Sequence, residues 1–272
     1  MVRSLWTGAT GMIAQQLNVD NISNNLANVN TTGYKAEVME FKSLLYQTIQ
    51  TRTTTANGAN KPIGAEVGLG VRNSSITSIF TDGSLLETPG EANFALNGRG
   101  FFGIRGADGN TYYTRNGNFV FAVGSEGITL ETTDGLPVLD SEGEPIILED
   151  DDIVTSKITV GKDGTLYYPD DSNIPQSLDI TIGLWQFNNP AGLSKEGDSL
   201  YAVTDASGEE MNEAENENLT KTKMIQGYLE GSNVQIADEM VNLIVAQRAY
   251  EMNSKVITTS DEMLQQANQL KR

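Results

Sequence analysis

The chain has 272 residues, with 18 Lys and Arg against 36 Asp and Glu for a formal charge of −18, and it contains neither cysteine nor histidine. That composition excludes disulfide frameworks, thiolate nucleophiles, zinc–thiolate clusters and imidazole chemistry, and the acidity speaks against nucleic acid as a partner. An apolar fraction of 38% suits an elongated protein with much surface better than one compact globule.

The N-terminal segment reads as a helix. Leu5, Met12, Val19 and Leu26 recur every seven residues, with Ala9, Gln16 and Ser23 at the intermediate positions, and a sevenfold period marks helices that wrap around one another. Thr7, Thr10, Gln15 and Gln16 interrupt its apolar content. It therefore lacks the continuous apolar region of a cleaved secretory signal, and any export is expected to proceed without removal of one. Five Asn follow within residues 21–30, including Asn24, Asn25 and Asn28. Asn is a poor helix former because its amide competes for local backbone groups. Two accounts stand side by side: a frayed helix end capped at Gly33, or a ladder of donors and acceptors that contacts neighbouring subunits.

Residues 50–64 (QTRTTTANGANKPIG) hold Thr, Asn and Gly with almost no apolar content, which predicts a loop or an extended arm. From about 65 to 220, short β-rich runs (FFGIRG, NTYYTR, NFVFAV, GITLET, KITVGK, GTLYYP, LDITIGLWQF, LYAVT) alternate with turns. The turn dipeptides Asp108-Gly109, Asn116-Gly117, Asp134-Gly135 and Asp163-Gly164 tolerate the positive φ of tight hairpins, so the middle reads as an antiparallel β domain. Phe101, Phe102, Tyr112, Tyr113, Phe119 and Phe121 are expected in its core.

The charge is confined to this middle part. Residues 1–47 and 221–272 are each neutral, whereas 48–220 hold 9 basic and 27 acidic residues. The acidic runs at 141–152 and 205–217 do not fit the spaced calcium-loop pattern, and they read as solvated, mutually repulsive surface. Gly98, Gly100 and Gly103 match the letters of a dinucleotide fingerprint, but no helical pattern follows, so a glycine-rich strand connection is expected. Asp179 is the single acid inside a strongly apolar strand, and alternation points it outward. No catalytic residues, metal ligands or cofactor are nominated. No run of about 18 apolar residues exists, so no membrane insertion is expected.

The C-terminus reads as a second heptad helix, with Ile236, Leu243, Tyr250, Ile257 and Leu264 on one stripe and Met240, Gln247, Ser254, Asp261 and Asn268 on the companion stripe. The expected fold is thus α+β. Terminal heptad helices (1–47 and 221–272) form a coiled-coil-like inner domain, joined through an extended arm (48–72) to an antiparallel β outer domain (73–220). In both helices one stripe is apolar and its companion mostly small or polar, whereas a self-sufficient coiled coil is apolar on both. Either the helices lean on a globular core, or they complete their packing against copies of themselves. The second account nominates Leu5, Met12, Val19, Asn24, Asn25, Leu26, Asn28, Ile236, Met240, Leu243, Tyr250, Ile257 and Leu264 as the self-assembly surface.

These residues also carry a family resemblance. SLWTGATGMIAQQLNVDNISNNLANVNTTGYK (4–35) resembles the N-terminal signature of flagellar basal-body rod and hook proteins, whose core is S-N-N-[LI]-A-N-x-[NS]-T-x-G-[FY]-K. EGSNVQIADEMVNLIVAQRAYEMNSKVITTSDEMLQQ (230–266) resembles their C-terminal signature, around Gln247-Arg248-Ala249-Tyr250-Glu251. FALNGRGFFGIR (94–105) and YTRNGNFVF (113–121) are similar to their shared β-domain motifs. The arm ending in GAEVGLGVR (64–72) resembles the extension of the distal-rod branch, which shorter proximal rod proteins lack.

The resemblance implies export through the flagellar type III apparatus and helical polymerisation in the periplasm. The product would be a hollow drive shaft, and its partners would be proximal rod proteins, hook protein and the surrounding basal-body rings. Two readings from other classes compete with it: a secreted carboxylate-dependent glycosidase, and a monomeric β adhesion module on a helical stalk.

Overall fold

The computed structural model describes residues 2–50, 64–124, 127–148, 154–170, 174–216 and 218–270. The architecture is α+β, and the chain divides into two compact units. Unit 1 comprises 1–27, 37–77 and 235–272, and unit 2 comprises 28–36 and 78–234.

Unit 1 holds the two long helices, α1 (Val2–Ala27) and α2 (Ile236–Gln269). Asp238 and Glu239 lie in the first turn of α2, where carboxylates complement the unpaired amides and the positive end of the helix dipole. Helix α1 stops at Ala27 and gives way to turns, so Gly33 does not cap it. Strand Glu37–Ser43 follows and is joined to Val71–Ser78, while Tyr46–Gln50 pairs antiparallel with Ala65–Gly68. The two ends of the expected arm therefore form a ribbon. Its middle, 51–63, lies outside the described residues, as do 149–152 of the first acidic run and Glu217 of the second.

Unit 2 is built of strands. Its largest sheet runs in the order Ser194–Gly197, Leu200–Ala202, Thr111–Thr114, Phe101–Arg105, Leu184–Gln186 and Met211–Asn212, antiparallel throughout. Both faces of this sheet are covered. Because successive strand residues point to opposite faces, the neighbours Phe101 and Phe102 serve different clusters. Phe102 joins Phe94, Leu96, Ile104, Phe119 and Leu130. Phe101 joins Tyr113, Leu139, Trp185, Phe187 and Tyr201. Aromatic pairs in both meet edge to face, Phe102 with Phe119 at 5.0 Å and Tyr113 with Phe187 at 4.9 Å, the arrangement favoured by the ring quadrupoles. Tyr112 and Phe121 are only half-buried.

Two local expectations are corrected. The run LDITIGLWQF is two strands, Pro175–Thr181 and Leu184–Gln186, in different sheets. Gly117 does not supply a positive φ for a hairpin. Its lack of a side chain matters because a Cβ there would stand 1.8 Å from the Phe94 carbonyl oxygen. The NGRGFFG segment does connect two strands, Phe94–Asn97 and Phe101–Arg105.

The hairpin between Ser194–Gly197 and Leu200–Ala202 turns on Asp198 (φ 47°) and Ser199 (φ 61°). Two positive φ values define the turn that matches strand twist, and a side chain is strained there. Replacing Ser199 with Gly relieves that strain, partly offset by extra freedom in the unfolded chain. The expected result is a gain of about 0.5–1 kcal/mol in unit 2, read as a raised urea midpoint at unchanged slope.

Candidate self-association surface

Helices α1 and α2 pack through small residues. A Cβ at Gly8 would stand 3.0 Å from Ile257 Cγ1, and one at Gly11 would stand 2.7 Å from Asn253 Nδ2. The hydroxyls of Ser4 and Ser260 meet at 3.1 Å. Leu5, Met12, Val19 and Leu26 share the α1 face of Gly8 by helical period and are half-buried, as are Leu243, Ile257 and Leu264 on α2. Ile236, Met240 and Tyr250 are exposed.

The asparagines divide. Asn25 is buried, and its amide donates to the Glu37 carbonyl at 2.8 Å while its Oδ1 accepts the Glu37 N–H at 2.9 Å. It thus meets the backbone of Glu37–Ser43 as a neighbouring strand would. The same amide donates to Glu239 Oε1 at 3.0 Å, and buried Asn21 donates to the Glu37 carbonyl at 2.8 Å. Asn28 is half-buried and accepts from Thr31 Oγ1 at 3.1 Å, whereas Asn24 is exposed. Asn21 and Asn25 therefore serve packing inside unit 1, an account absent from both sequence alternatives.

The most prominent apolar surface of the helices lies elsewhere. On α1, Trp6 (69% exposed), Ile13 and Leu17 face outward. On α2, Val241, Ile244, Val245 (62% exposed), Met252, Val256 and Met263 are all exposed. Val241, Met252 and Met263 are spaced by 11, and so are Val245 and Val256. At about 100° per residue these five fall within a sector of roughly 60°. An 11-residue repeat has a period near 3.67, so the stripe runs nearly straight along the helix. Its pairs Val245/Met252 and Val256/Met263 are each seven apart, but no run of sevens longer than a pair falls within the stripe. In charge, unit 1 is neutral, with nine basic and nine acidic residues, while unit 2 holds nine basic and twenty-seven acidic.

The buried acids of unit 2 are held by structural partners. Glu213 accepts from the Thr222 N–H (2.7 Å), Thr222 Oγ1 (2.6 Å) and Gln186 Nε2 (2.8 Å). Glu230 accepts from Lys35 Nζ (2.5 Å), the Gly83 N–H (3.0 Å) and Arg115 Nη1 (3.3 Å), and Arg115 lies over the Phe101 ring at 5.2 Å. Burial lowers the Lys35 pKa from the ordinary lysine value, against the raising effect of Glu230. Asp179 is exposed. Among the described residues, acidic side chains form no group of three able to share a metal ion.

Residues 5–35 match the family described as "Flagella basal body rod protein", 95–168 match "Flagellar hook protein FlgE/F/G D1 domain", and 225–270 match "Flagellar basal body rod FlgEFG protein C-terminal". The chain is 44% identical to the flagellar basal-body rod protein FlgG of Borreliella burgdorferi over 275 aligned residues, with all of both chains covered. It is 43% identical to FlgG of Agrobacterium fabrum, covering 96% of this chain and 97% of that one. FlgG of Buchnera aphidicola from Acyrthosiphon pisum is 39% identical, covering 99% and 100%. With helices, β unit and full-length similarity in agreement, the chain belongs to the flagellar basal-body rod protein family.

Proposed function

We propose that this chain is a structural subunit of the distal flagellar rod. It self-assembles through unit 1 into a hollow helical shaft that carries torque from motor to hook. The observation that carries this reading is the apolar surface on α1 and α2 of a charge-neutral unit. Exposed stripes of this kind mark protein–protein contact when they are contiguous, and long helices gain most of their stability from packing. The heptad residues Leu5, Met12, Val19, Leu26, Leu243, Ile257 and Leu264 close the pair within one subunit. Ile236, Met240, Tyr250, Asn24 and the outward stripes then meet other copies, in a coiled-coil-like bundle. The −18 charge of unit 2 keeps those surfaces mutually repulsive and the subunit soluble.

Rod, hook and ring proteins and the export apparatus are the partners that this role implies, and the basal body in the periplasm is its place. The relatives' shared name favours rod over hook, and the resemblance of 64–72 to the distal-rod extension favours the distal over the proximal rod. Nothing favours a glycosidase, since the buried acids Glu213 and Glu230 are enclosed by structural donors.

Limited proteolysis of purified subunit, before and after polymerisation, tests the reading. The expected result is cleavage within 1–30 and 236–272 in the monomer and protection of both in the polymer. Failure of the chain to polymerise, or terminal helices equally resistant in the monomer, would overturn it.

A further inference from the structure

Unit 1 carries both a knob and a hole, on different faces. The hole is a groove of about 320 Å³ in the helix pair, lined by Gln16 and Val19 of α1 and by Gln247, Tyr250 and Glu251 of α2. Val19 and Tyr250 supply its apolar lining, and Gln16, Gln247 and Glu251 its amide and carboxylate groups. That volume lies at the small end for ligand pockets and suits one large side chain. The knob is Trp6, 69% exposed on α1. Trp6 cannot reach the groove of its own chain. Thirteen residues separate it from Val19, which places it about 20 Å along the helix axis and about 140° around it.

We infer that Trp6 of one copy inserts into the Gln16/Val19/Gln247/Tyr250/Glu251 groove of the next. This rests on the self-assembly reading and names the contact that directs it. The indole offers a large apolar face to Val19 and Tyr250, and its N–H needs an acceptor when buried, which Gln16, Gln247 and Glu251 can provide. Aromatic anchors seated in pockets are the usual centres of interfaces. The geometry also narrows the kind of assembly. A knob and hole on separate faces do not satisfy each other across one two-fold axis, so the contact is head-to-tail and each subunit added presents a fresh knob and a fresh hole. Such a contact builds a ring or an open helix, and the rod reading selects the helix.

Two measurements test this. The chain has two tryptophans, Trp6 and Trp185, so Trp185→Phe leaves Trp6 as the single emitter. On polymerisation, acrylamide quenching of Trp6 should fall severalfold, as for a fully desolvated anchor, with a blue-shifted emission. In the natural tryptophan background, the absence of cysteine permits a second readout. When Arg3→Cys and Gln247→Cys subunits are mixed and polymerised, a short thiol crosslinker should join the two variants in preference to like with like, because Arg3 lies one helical turn from Trp6. A polymer in which Trp6 stays as quenchable as in the monomer, or which crosslinks only like with like, overturns the inference and leaves the assembly reading standing. A natural chain that forms no polymer overturns both.

Discussion

Replacing Glu230 with Ala should lower the stability of unit 2 by about 3–5 kcal/mol, the cost of leaving buried cations without their counter-charge. Lys35 and Glu230 are 0% and 1% exposed at the side chain, and Arg115 is equally enclosed. Without the carboxylate, two positive groups face each other in a site closed to water, and the Gly83 N–H loses its acceptor. Asp82 contacts Arg115 at 3.5 Å but is half-exposed, so it compensates poorly. The change is read from urea unfolding followed by Trp185 emission in a Trp6→Phe background, since Trp185 lies in the core of unit 2. Glu230→Gln should cost nearly as much, because it retains shape and removes charge. Lys35→Met with Glu230→Gln should cost less than the sum of the single changes, as coupled neighbours do. A loss below about 1 kcal/mol for Glu230→Ala would mean that the cluster is solvated and contributes little.

That cluster also marks a limit of sequence reading. Lys35 and Glu230 both sit inside the recognised terminal motifs, yet 195 positions separate them, and nothing local pairs them. The strands, by contrast, were legible because their signals are local. FFGIRG, NTYYTR and GITLET alternate or run apolar between Asp-Gly turns, and each contains the strand expected. At Asn116-Gly117 the same local signal points to the right residue for the wrong reason. The glycine answers to the Phe94 carbonyl passing close by, which is a tertiary fact.

Asn21 and Asn25 show the same limit in a helix. Their cost in propensity was visible, but their partner is the backbone of Glu37, brought in by the chain's return as a strand. Part of the candidate surface was legible. Of the heptad residues, Ile257 lies at the helix contact, beside Gly8, whereas the Gly11–Asn253 and Ser4–Ser260 contacts fall off the stripe. The outward Val and Met of α2 are spaced alternately by 4 and 7, so no run of sevens longer than a pair falls among them.

This distinction sets the second expected result. Val245→Asp should abolish polymerisation and leave the isolated subunit as stable as before, within about 0.5 kcal/mol. Val245 is 62% exposed in the single chain, so an aspartate there meets water. In the polymer it would be buried against a second copy, and an unpaired charge in an apolar contact costs several kcal/mol. At 1.4 kcal/mol per factor of ten, the critical concentration should rise about a hundredfold or more. Leu243→Asp behaves differently. Leu243 is half-buried on the α2 stripe that also carries Ile257, the residue in contact with Gly8 of α1. That charge should loosen the helix pair in the monomer as well, seen as lost helical ellipticity or faster proteolysis of both ends. Sedimentation measures assembly, and ellipticity at fixed monomer concentration measures the pair. Should Val245→Asp polymerise normally while Leu243→Asp fails, the heptad seam alone would direct assembly and the outward stripe would have no part in it. The opposite pattern, with both variants losing polymer and only Leu243→Asp losing helix, follows if one stripe closes the subunit and the other joins it to the next.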